Sequence, residues 1–156
     1  MTPTMNKKII YIDMDGVLVD FEKSVETHFE QYPYQKSIYK NHADLIHNVF
    51  LNALPIEGAI EAVNKLEESG KYELFIATAA PWGNTESASH KRIWIEKYFG
   101  KLFKRKMFIT HRKDLLMGDY LIDDRTKNGA GEFRGELIQF GTEQFPNWDS
   151  VLTKLL

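Results

Sequence analysis

The sequence lacks cysteine altogether among its 156 residues. This absence excludes disulfide bonds and thiolate metal sites, so stability has to come from a hydrophobic core. A domain of this length buries roughly two-thirds of its unfolded surface, which is sufficient for such a core. Chains without cysteine are typical of a reducing, intracellular setting, and we therefore expect a cytoplasmic location.

Long apolar runs and an excess of positive charge are also missing. No stretch approaches the ~20 apolar residues of a membrane-spanning helix, and residues 1–6 are polar, unlike a signal peptide. The 20 basic and 22 acidic residues give a net charge of −2 at pH 7, whereas a nucleic-acid-binding domain carries a basic footprint. We expect neither a membrane nor a nucleic-acid polymer as a partner. The oligomeric state is left open, a homodimer included.

Short apolar runs alternate with helical segments along most of the chain. Five runs have the composition of buried parallel strands, at residues 8–12, 73–78, 106–110, 120–122 and 137–140. Residues 55–69 have the apolar periodicity of a helix, and we interpret residues 85–99 as a second one. Its expected core contacts are Ile93, Trp94, Tyr98 and Phe99. The alternation predicts an α/β fold with a parallel sheet flanked by helices.

Residues 20–54 interrupt this alternation between the first strand and the first crossover helix. The segment is rich in aromatic residues, namely Phe21, Phe29, Tyr32, Tyr34, Tyr39 and Phe50. It is too long for an ordinary strand-to-helix loop, and we interpret it as a small helical cap with two helices around Pro33. The chain is then one domain of residues 1–156, with its core from residues 1–19 and 55–156.

Polar side chains follow four of the predicted strands, at the point where each strand ends. They are Asp13 and Asp15, then Thr78, then Thr110 with Lys113 beyond it, then Asp123 and Asp124. The carboxyl ends of parallel strands share one edge of the sheet, and open α/β sheets bind their ligands there. The pattern therefore predicts a single site assembled from residues that are far apart in the sequence.

The residue types of this predicted site suit phosphoryl transfer. A carboxylate such as Asp13 can attack a phosphoryl group to give an aspartyl-phosphate, which divides one difficult displacement into two easier steps. Asp15, two residues further along an extended strand, points in a similar direction and can protonate the leaving oxygen and then deprotonate water. Mg²⁺ prefers oxygen ligands, which Asp13 with Asp123 or Asp124 can supply. Lys113 can offset the negative charge.

Each of these residues also has a structural alternative. Acids before a glycine are commonly turn residues, and the pair at 123–124 can cap a following helix. Thr78 can bond locally, and His111 and Arg112 are basic neighbours that could replace Lys113. The preceding apolar strand and the order of the four groups favour a catalytic site.

The same residues resemble the four motifs of the haloacid dehalogenase (HAD) superfamily. Residues 9–18, with Asp-Met-Asp-Gly-Val at 13–17, are similar to its first motif, and Thr78, Lys113 and the pair at 123–124 are similar to the other three. The resemblance covers nearly the whole chain and implies a HAD-like Rossmannoid fold with a cap inserted after the first strand.

The resemblance also implies a role for each residue. It makes Asp13 the nucleophile, Asp15 the general acid and base, and Thr78 and Lys113 the phosphate ligands. Mg²⁺ is then held by Asp13, the main-chain carbonyl of Asp15, and Asp123 and Asp124. Of the last two we favour Asp124 as the direct ligand.

One branch of the superfamily, the 5′(3′)-deoxyribonucleotidases, is the most similar. Residues 13–22, 94–100 and 121–125 resemble it, and Phe21 stands where that branch stacks an aromatic ring on the nucleobase. The chain departs from the branch in two places. Ala79 replaces a serine that supplies a phosphate hydroxyl, and the tandem aromatic residues of the cap have no clear counterpart.

The sequence thus predicts a magnesium-dependent phosphomonoester hydrolase that acts through an aspartyl-phosphate. The resemblance implies that its substrate is a nucleoside monophosphate. Within the enzyme class, the alternative is a phosphatase for a sugar phosphate or another small metabolite. A non-catalytic nucleotide- or phosphate-binding module is the alternative from another class, but mere binding does not require Asp15 beside Asp13.

Overall fold

A parallel sheet lies at the centre of the computed structural model, which describes residues 7–156. The strands are β1 (Lys8–Ile12), β2 (Val19–Asp20), β3 (Leu54–Pro55), β4 (Tyr72–Thr78), β5 (Met107–Ile109), β6 (Tyr120–Asp123) and β7 (Glu136–Gln139). The α-helices are α1 (Phe21–Gln31), α2 (Ala59–Glu68), α3 (Ser87–Phe99) and α4 (Trp148–Leu155). Five strands form the main sheet in the order β5-β4-β1-β6-β7, and all their pairings are parallel. This confirms the predicted α/β class.

Strand β1 occupies the middle of the sheet. Ile12 at its end pairs with Ile76 of β4 and with Ile122 of β6, and the Asp13 N–H donates to the Ile122 carbonyl (2.9 Å). Ile10 and Ile12 are fully buried, as expected for a strand that is covered on both faces. The residues that follow β1, β4 and β6 therefore meet at one edge of the sheet.

The two faces of the sheet are covered differently. Helices α2, α3 and α4 contribute to one large hydrophobic cluster with Ile10 and Ile12 of β1. On the other face, a smaller cluster joins the strands to residues at two 3₁₀ turns, Lys113–Leu115 and Ala130–Glu132. Trp148 at the start of α4 is buried and donates its indole N–H to the Val17 carbonyl (2.8 Å). This bond fixes α4 beside the turn that follows β1.

The predicted strands of the main sheet are all present, with bounds that differ by one residue at most. Helix α2 begins four residues later than predicted, because Pro55 pairs in β3 and Gly58 has a left-handed backbone (φ 79°). Ile93 is 45% exposed, so the prediction that it contacts the core is wrong. It lies on the outer side of α3, whereas Trp94 and Phe99 are buried. Helix α4 was not predicted.

The cap, residues 21–53 of the structure, differs from the predicted pair of helices. Only α1 precedes Pro33, and the prediction of a second helix after it is wrong. The chain instead forms short 3₁₀ turns at Pro33–Gln35 and Ala43–Leu45. Proline disfavours helical backbone in the residue before it, and local bonds such as Ile46 N–H to Ala43 carbonyl (3.1 Å) close the turns.

The cap has a hydrophobic cluster of its own. Ile46, Val49 and Phe50 are buried in it, and residues of α1 such as Phe21 and Phe29 pack against them. The antiparallel pair β2–β3 connects the cap to the core at both of its ends. In the part of the chain that the structure describes, no helix is both long and apolar enough to cross a bilayer.

Candidate active site

The turn after β1 carries the first two acids of the site. The Met14 carbonyl accepts hydrogen bonds from the N–H groups of residues 17–19 (3.1, 2.8 and 2.9 Å), and Gly16 takes a left-handed backbone (φ 80°) that glycine allows. Met14 is buried in the core, whereas Asp13 and Asp15 line a cavity. The extended chain end thus directs the two acids to the same side, as predicted.

Lys113 bridges two buried acids at the base of this cavity. Its Nζ donates to Asp13 Oδ1 (3.0 Å) and to Asp123 Oδ2 (2.6 Å), and all three side chains are almost fully buried. Burial raises the pKa of Asp13 well above its usual range; the charges of Asp123 and Asp15 raise it further, and Lys113 opposes them. Burial by itself would lower the pKa of Lys113, but the charges of Asp13 and Asp123 raise it. Two acids therefore share one buried cation.

Asp124 completes a cluster of three carboxylates. One oxygen each from Asp13, Asp123 and Asp124 lies within 4.8 Å of the others. Both oxygens of Asp123 have partners, since Oδ2 accepts from Lys113 and Oδ1 accepts from the Arg125 N–H (3.0 Å). The Arg125 guanidinium lies 3.9 Å from Asp124 Oδ2, beyond hydrogen-bonding distance. The carboxylate oxygens of Asp124 are therefore more available to another ligand than those of Asp123.

The environment of Asp124 fits a cation. Burial raises the pKa of this carboxyl to about 6, and the charge of Asp123 adds to the effect. Gly16 leaves the space that the carboxylate fills, because a Cβ there would collide with it. Three clustered acids with a single lysine leave surplus negative charge on oxygen donors, which is the environment that Mg²⁺ prefers.

Asp15 is bound by a lysine that the sequence reasoning missed. Lys91, on α3, is fully buried and donates to Asp15 Oδ2 (2.9 Å), Thr78 Oγ1 (2.8 Å) and the Ala79 carbonyl (2.7 Å). The available signal was its position in the helix, since Lys91 precedes the buried Trp94 and Ile95 by three and four residues. A lysine on the buried face of a helix requires a partner.

The cavity lies between these residues and the cap and has a volume of about 570 Å³. The core contributes Asp13, Asp15, Lys113, Asp123 and Asp124, and the cap contributes Phe21, Lys40, Asn41, Ala43, Asp44 and Phe50. The rings of Phe21 and Phe50 are stacked, with centroids 5.4 Å apart and planes at 19°. A second cavity, of about 660 Å³, lies beside α3 and β5 and shares none of these residues.

Six of the seven predicted site residues thus line one cavity. The seventh, Thr78, is fully buried behind its wall and contacts Lys91. Of the basic alternatives to Lys113, Arg112 is turned away, because its guanidinium makes two bonds to Asp114 (2.9 and 2.7 Å). His111 is exposed and lines the cavity.

The fold and this arrangement of acids define the class as a haloacid dehalogenase-like hydrolase. The structure of YfnB, a HAD-type hydrolase from Bacillus subtilis, aligns with a TM-score of 0.55 at 14% identity and covers 91% of this chain and 90% of its own. A haloacid dehalogenase-like hydrolase from Xanthomonas campestris aligns with the same TM-score at 12% identity, over 96% and 92% of the two chains. At such identities the likeness establishes the fold.

The family follows from sequence comparison. Residues 25–147 match the family model described as 5′ nucleotidase, deoxy (Pyrimidine), cytosolic type C protein. A Vibrio phage KVP40 protein, provisionally named a 5′(3′)-deoxyribonucleotidase, is 44% identical over 96% of this chain and 85% of its own length. The chain belongs to this nucleotidase family and is a phosphatase.

More distant relatives cover most of the chain as well. The human 5′(3′)-deoxyribonucleotidase of cytosolic type is 26% identical over 92% of this chain and 78% of its own. The 5′(3′)-deoxyribonucleotidase of Bacillus subtilis is 27% identical over 96% and 99% of the two chains. The branch that the sequence motifs indicated is therefore confirmed.

Proposed function

We propose that this protein hydrolyses deoxyribonucleoside monophosphates in two steps, through an aspartyl-phosphate on Asp13. The observation that carries the proposal is the buried Asp13–Lys113 pair at the end of the central strand, with Asp15 beside it in the same cavity. Asp13 supplies a nucleophile, Lys113 supplies positive charge, and Asp15 supplies a group that can exchange a proton.

In the first step, the Asp13 carboxylate attacks phosphorus and the bond to the leaving oxygen breaks. Lys113 has three N–H donors, of which Asp13 and Asp123 accept two. The third is left for an oxygen of the phosphoryl group, whose charge it offsets. Asp15 gives its proton to the leaving oxygen. The Thr78 Oγ1 accepts from Lys91 (2.8 Å), and its O–H makes a long bond to the Ala79 carbonyl (3.4 Å); we assign this O–H, turned toward the cavity, as a further phosphate donor.

In the second step, water attacks the phosphorus of the aspartyl-phosphate. Asp15, now a carboxylate, accepts a proton from that water. The bond between phosphorus and Asp13 breaks, so that the nucleophile is restored and inorganic phosphate leaves. Each acid therefore ends the cycle in the protonation state in which it began.

A divalent cation fits beside these residues. Asp13 and Asp124 would hold Mg²⁺ directly, together with the Asp15 carbonyl, and Asp123 would support the site from its bond with Lys113. When bound, the ion neutralises charge on the transferring phosphoryl group. Among residues 7–156, Lys113 favours the charged form of Asp13 and Arg125 that of Asp124, and the ion would add positive charge beside both.

Family membership and the cavity support a nucleotide as the substrate. The names of the relatives indicate deoxyribonucleotides, and about 570 Å³ lies within the ~300–1,000 Å³ of small-molecule sites. We assign Phe21 to the base, since its ring lines the cavity while stacking on Phe50. A cytoplasmic location, supported by the absence of cysteine, would give access to such substrates.

Removal of divalent metal is expected to lower turnover of p-nitrophenyl phosphate about 100-fold or more, because the phosphoryl charge is then poorly neutralised. Steady-state rates with and without EDTA, followed by titration with excess Mg²⁺, measure the effect and its reversal. Mg²⁺ should also raise the melting temperature, since it binds the folded acid cluster. Activity that is indifferent to EDTA would exclude the metal from the mechanism.

A substrate panel tests the nucleotide assignment. We expect kcat/KM for dUMP and dTMP to exceed that for glucose 6-phosphate at least about tenfold, because only the nucleotides can use the base contact at Phe21. Ribonucleotides and 3′-monophosphates in the same panel report sugar and position preference. A faster sugar phosphate would support the metabolite phosphatase instead. Stoichiometric binding of dUMP with Mg²⁺ and no turnover would support a binding module.

A further inference from the structure

A second cavity lies between α3 and β5, away from the residues of the proposed reaction. Its volume is about 660 Å³, against about 570 Å³ for the active-site cavity, and this lies within the ~300–1,000 Å³ of small-molecule sites. Its walls come from one flank of α3, from residues 100–105 after this helix, and from β5. The two cavities have no lining residue in common, so a ligand of the second cavity has to be inferred from its own chemistry.

The floor of the second cavity is apolar. Ile95 of α3 and Phe103 line it and are almost fully buried. Met107 and Ile109 of β5 are two residues apart, so their side chains share one face of the strand, and both line the cavity. Ile109 remains 44% exposed. A ligand with an apolar body would cover this surface and release water from it.

The rim of the second cavity is basic. It carries one acid, Glu96, and four cations, namely Arg92, Lys101, Lys104 and Arg105. Glu96 lies 3.5 Å from the Arg92 guanidinium, whereas the other three cations form no ion pair within residues 7–156. Like charges so close in sequence repel one another, and this crowding contrasts with the net charge of −2 of the whole chain. The rim therefore favours an anion with more than one negative charge.

The backbone holds these cations in place at a conformational cost. The Lys104 N–H donates to the Lys101 carbonyl (3.1 Å) and the Lys106 N–H to the Phe103 carbonyl (2.9 Å), which makes two overlapping turns. Arg105 is the third residue of the second turn and has a φ of 61°, a left-handed backbone that glycine or asparagine usually provides. Strained residues that persist in a fold cluster at functional positions. The strain here falls on a residue of the basic rim.

We propose that the second cavity is a binding site for a nucleoside polyphosphate, a small molecule with an apolar ring system and a chain of phosphates. The ring system would lie on the apolar floor, and the phosphates would pair with Lys101, Lys104 and Arg105, since charged donors form the strongest hydrogen bonds to phosphate oxygens. No active-site residue takes part, so this inference does not rest on the proposed function.

Two simpler kinds of ligand match only half of this chemistry. A fatty acid has an apolar body but a single negative charge, which leaves most of the rim unpaired. Inorganic polyphosphate has the charge but nothing to cover the floor. The phosphate chain is common to inorganic polyphosphate and to nucleoside polyphosphates, and the apolar floor favours the second of these two sources.

Isothermal titration calorimetry in EDTA tests the site, with dTTP as the probe. EDTA keeps dTTP out of the active-site cavity, because the acids there repel an anion when no cation is bound. We expect saturable binding at a single site, about tenfold weaker in 300 mM than in 50 mM NaCl, since solvent-exposed ion pairs are screened. Inorganic tripolyphosphate and thymidine carry the charge and the ring system separately. Each should bind at least about tenfold more weakly than dTTP.

Paired charge reversals locate the bound nucleotide. Lys104→Glu with Arg105→Glu should raise the Kd of dTTP at least about tenfold, because two phosphate partners become repulsive. Lys40→Glu with Lys127→Glu makes the same change in net charge at the active-site cavity and should leave the Kd within about twofold, because distant charges are screened. An equal rise for both variants would assign the binding to the active-site cavity or to net charge alone, and would overturn the proposal.

Ile109→Thr tests the floor, because it keeps a β-branched side chain in β5 but removes apolar surface from the cavity. It should raise the Kd of dTTP about threefold and leave that of tripolyphosphate unchanged. An equal effect on both would overturn the assignment of the ring system to the floor. If Lys104→Glu with Arg105→Glu lowers the melting temperature, Lys101→Glu with Lys104→Glu, which leaves Arg105 in place, is held to the same criterion.

Absence of saturable dTTP binding by the wild type would overturn the proposal outright. The cations would then only protect β5, an edge strand of the sheet, from pairing with other chains. Hydrolysis of dUMP by the wild type is a separate measurement, and its failure would refute the proposed function without affecting this site.

Discussion

Asp13→Asn is expected to lower the turnover of p-nitrophenyl phosphate by about 10⁴-fold or more, because an amide oxygen is a poor nucleophile and the proposed aspartyl-phosphate then cannot form. Asn has the same shape as Asp, and its amide oxygen can still accept from Lys113 (3.0 Å in the structure). The loss should therefore appear in kcat and not in the fold. Steady-state kinetics with Mg²⁺ in excess provide the measurement.

The same substitution has a second expected effect, on stability. Burial and the neighbouring acids raise the pKa of Asp13, which means that its charged form is unfavourable in the metal-free protein. Removing that charge should leave the melting temperature in EDTA at or above the wild-type value. A catalytic group that weakens the fold is a common trade-off at active sites. Any such increase in melting temperature over the wild type should disappear in Mg²⁺, because the variant loses a metal ligand and the ion then stabilises it less.

A matched control is Asp149→Asn, which removes an exposed acid from α4. It should change neither turnover nor melting temperature appreciably, since such surface substitutions have effects within about 0.5 kcal/mol. If Asp13→Asn kept turnover within tenfold of the wild type, Asp13 would not be the nucleophile. A loss of near-UV circular dichroism would show that the substitution acts on the fold, and kinetics of Asp13→Glu would then be needed to assign the role.

The main sheet and most of the site were predictable because both depend on local pattern. Buried parallel strands are short β-branched apolar runs, and their order along the chain required no knowledge of distant contacts. Asp13 directly follows β1 and Asp123 is the last residue of β6, so a parallel arrangement alone brings them to one edge. Lys113 was identified by its place in the motif order, and the structure puts it between those two acids.

Lys91 escaped prediction because its partners are distant in sequence. It contacts Asp15, which lies 76 positions away, and only the crossing of α3 over the ends of β1 and β4 brings them together. Its neighbours at 90 and 92 are polar, so the residue looks like part of a solvated helix face. The buried Trp94 and Ile95 reveal the register of the helix only after one knows which side packs on the sheet.

The cap was less predictable for a different physical reason. Beyond α1 its aromatic residues have neither the period of a helix nor that of a strand. Phe21, Phe29 and Tyr39 pack in the cluster of Phe50, whereas Tyr34 is exposed. Tertiary packing and 3₁₀ turns determine its path, and neither leaves a strong local signal. Thr78 shows a similar limit, since its place at a strand end was predicted but its burial behind the cavity wall depends on Lys91.

Lys113→Met is expected to destabilise the metal-free protein by about 3–5 kcal/mol, because it leaves Asp13 and Asp123 as buried carboxylates without a cation. Both acids have almost no exposed side-chain surface, and Lys113 lies within 3.0 Å of each. Urea unfolding in EDTA measures the change in free energy. Turnover should fall about 10³-fold as well, since the phosphoryl group loses a charged donor.

The balance of buried charge also predicts how this defect can be repaired. Adding Asp123→Asn to Lys113→Met removes one of the two unpaired acids and should recover part of the lost stability, although not the activity. Mg²⁺ should recover part of it too, because the ion binds the carboxylates that Lys113 no longer pairs.

Lys101→Met, which removes an exposed lysine remote from the active-site cavity, is the control and should stay within about 0.5 kcal/mol of the wild type. A Lys113→Met variant within about 1 kcal/mol of the wild type in EDTA would contradict this account, because the two acids would then have to be stable without their shared cation.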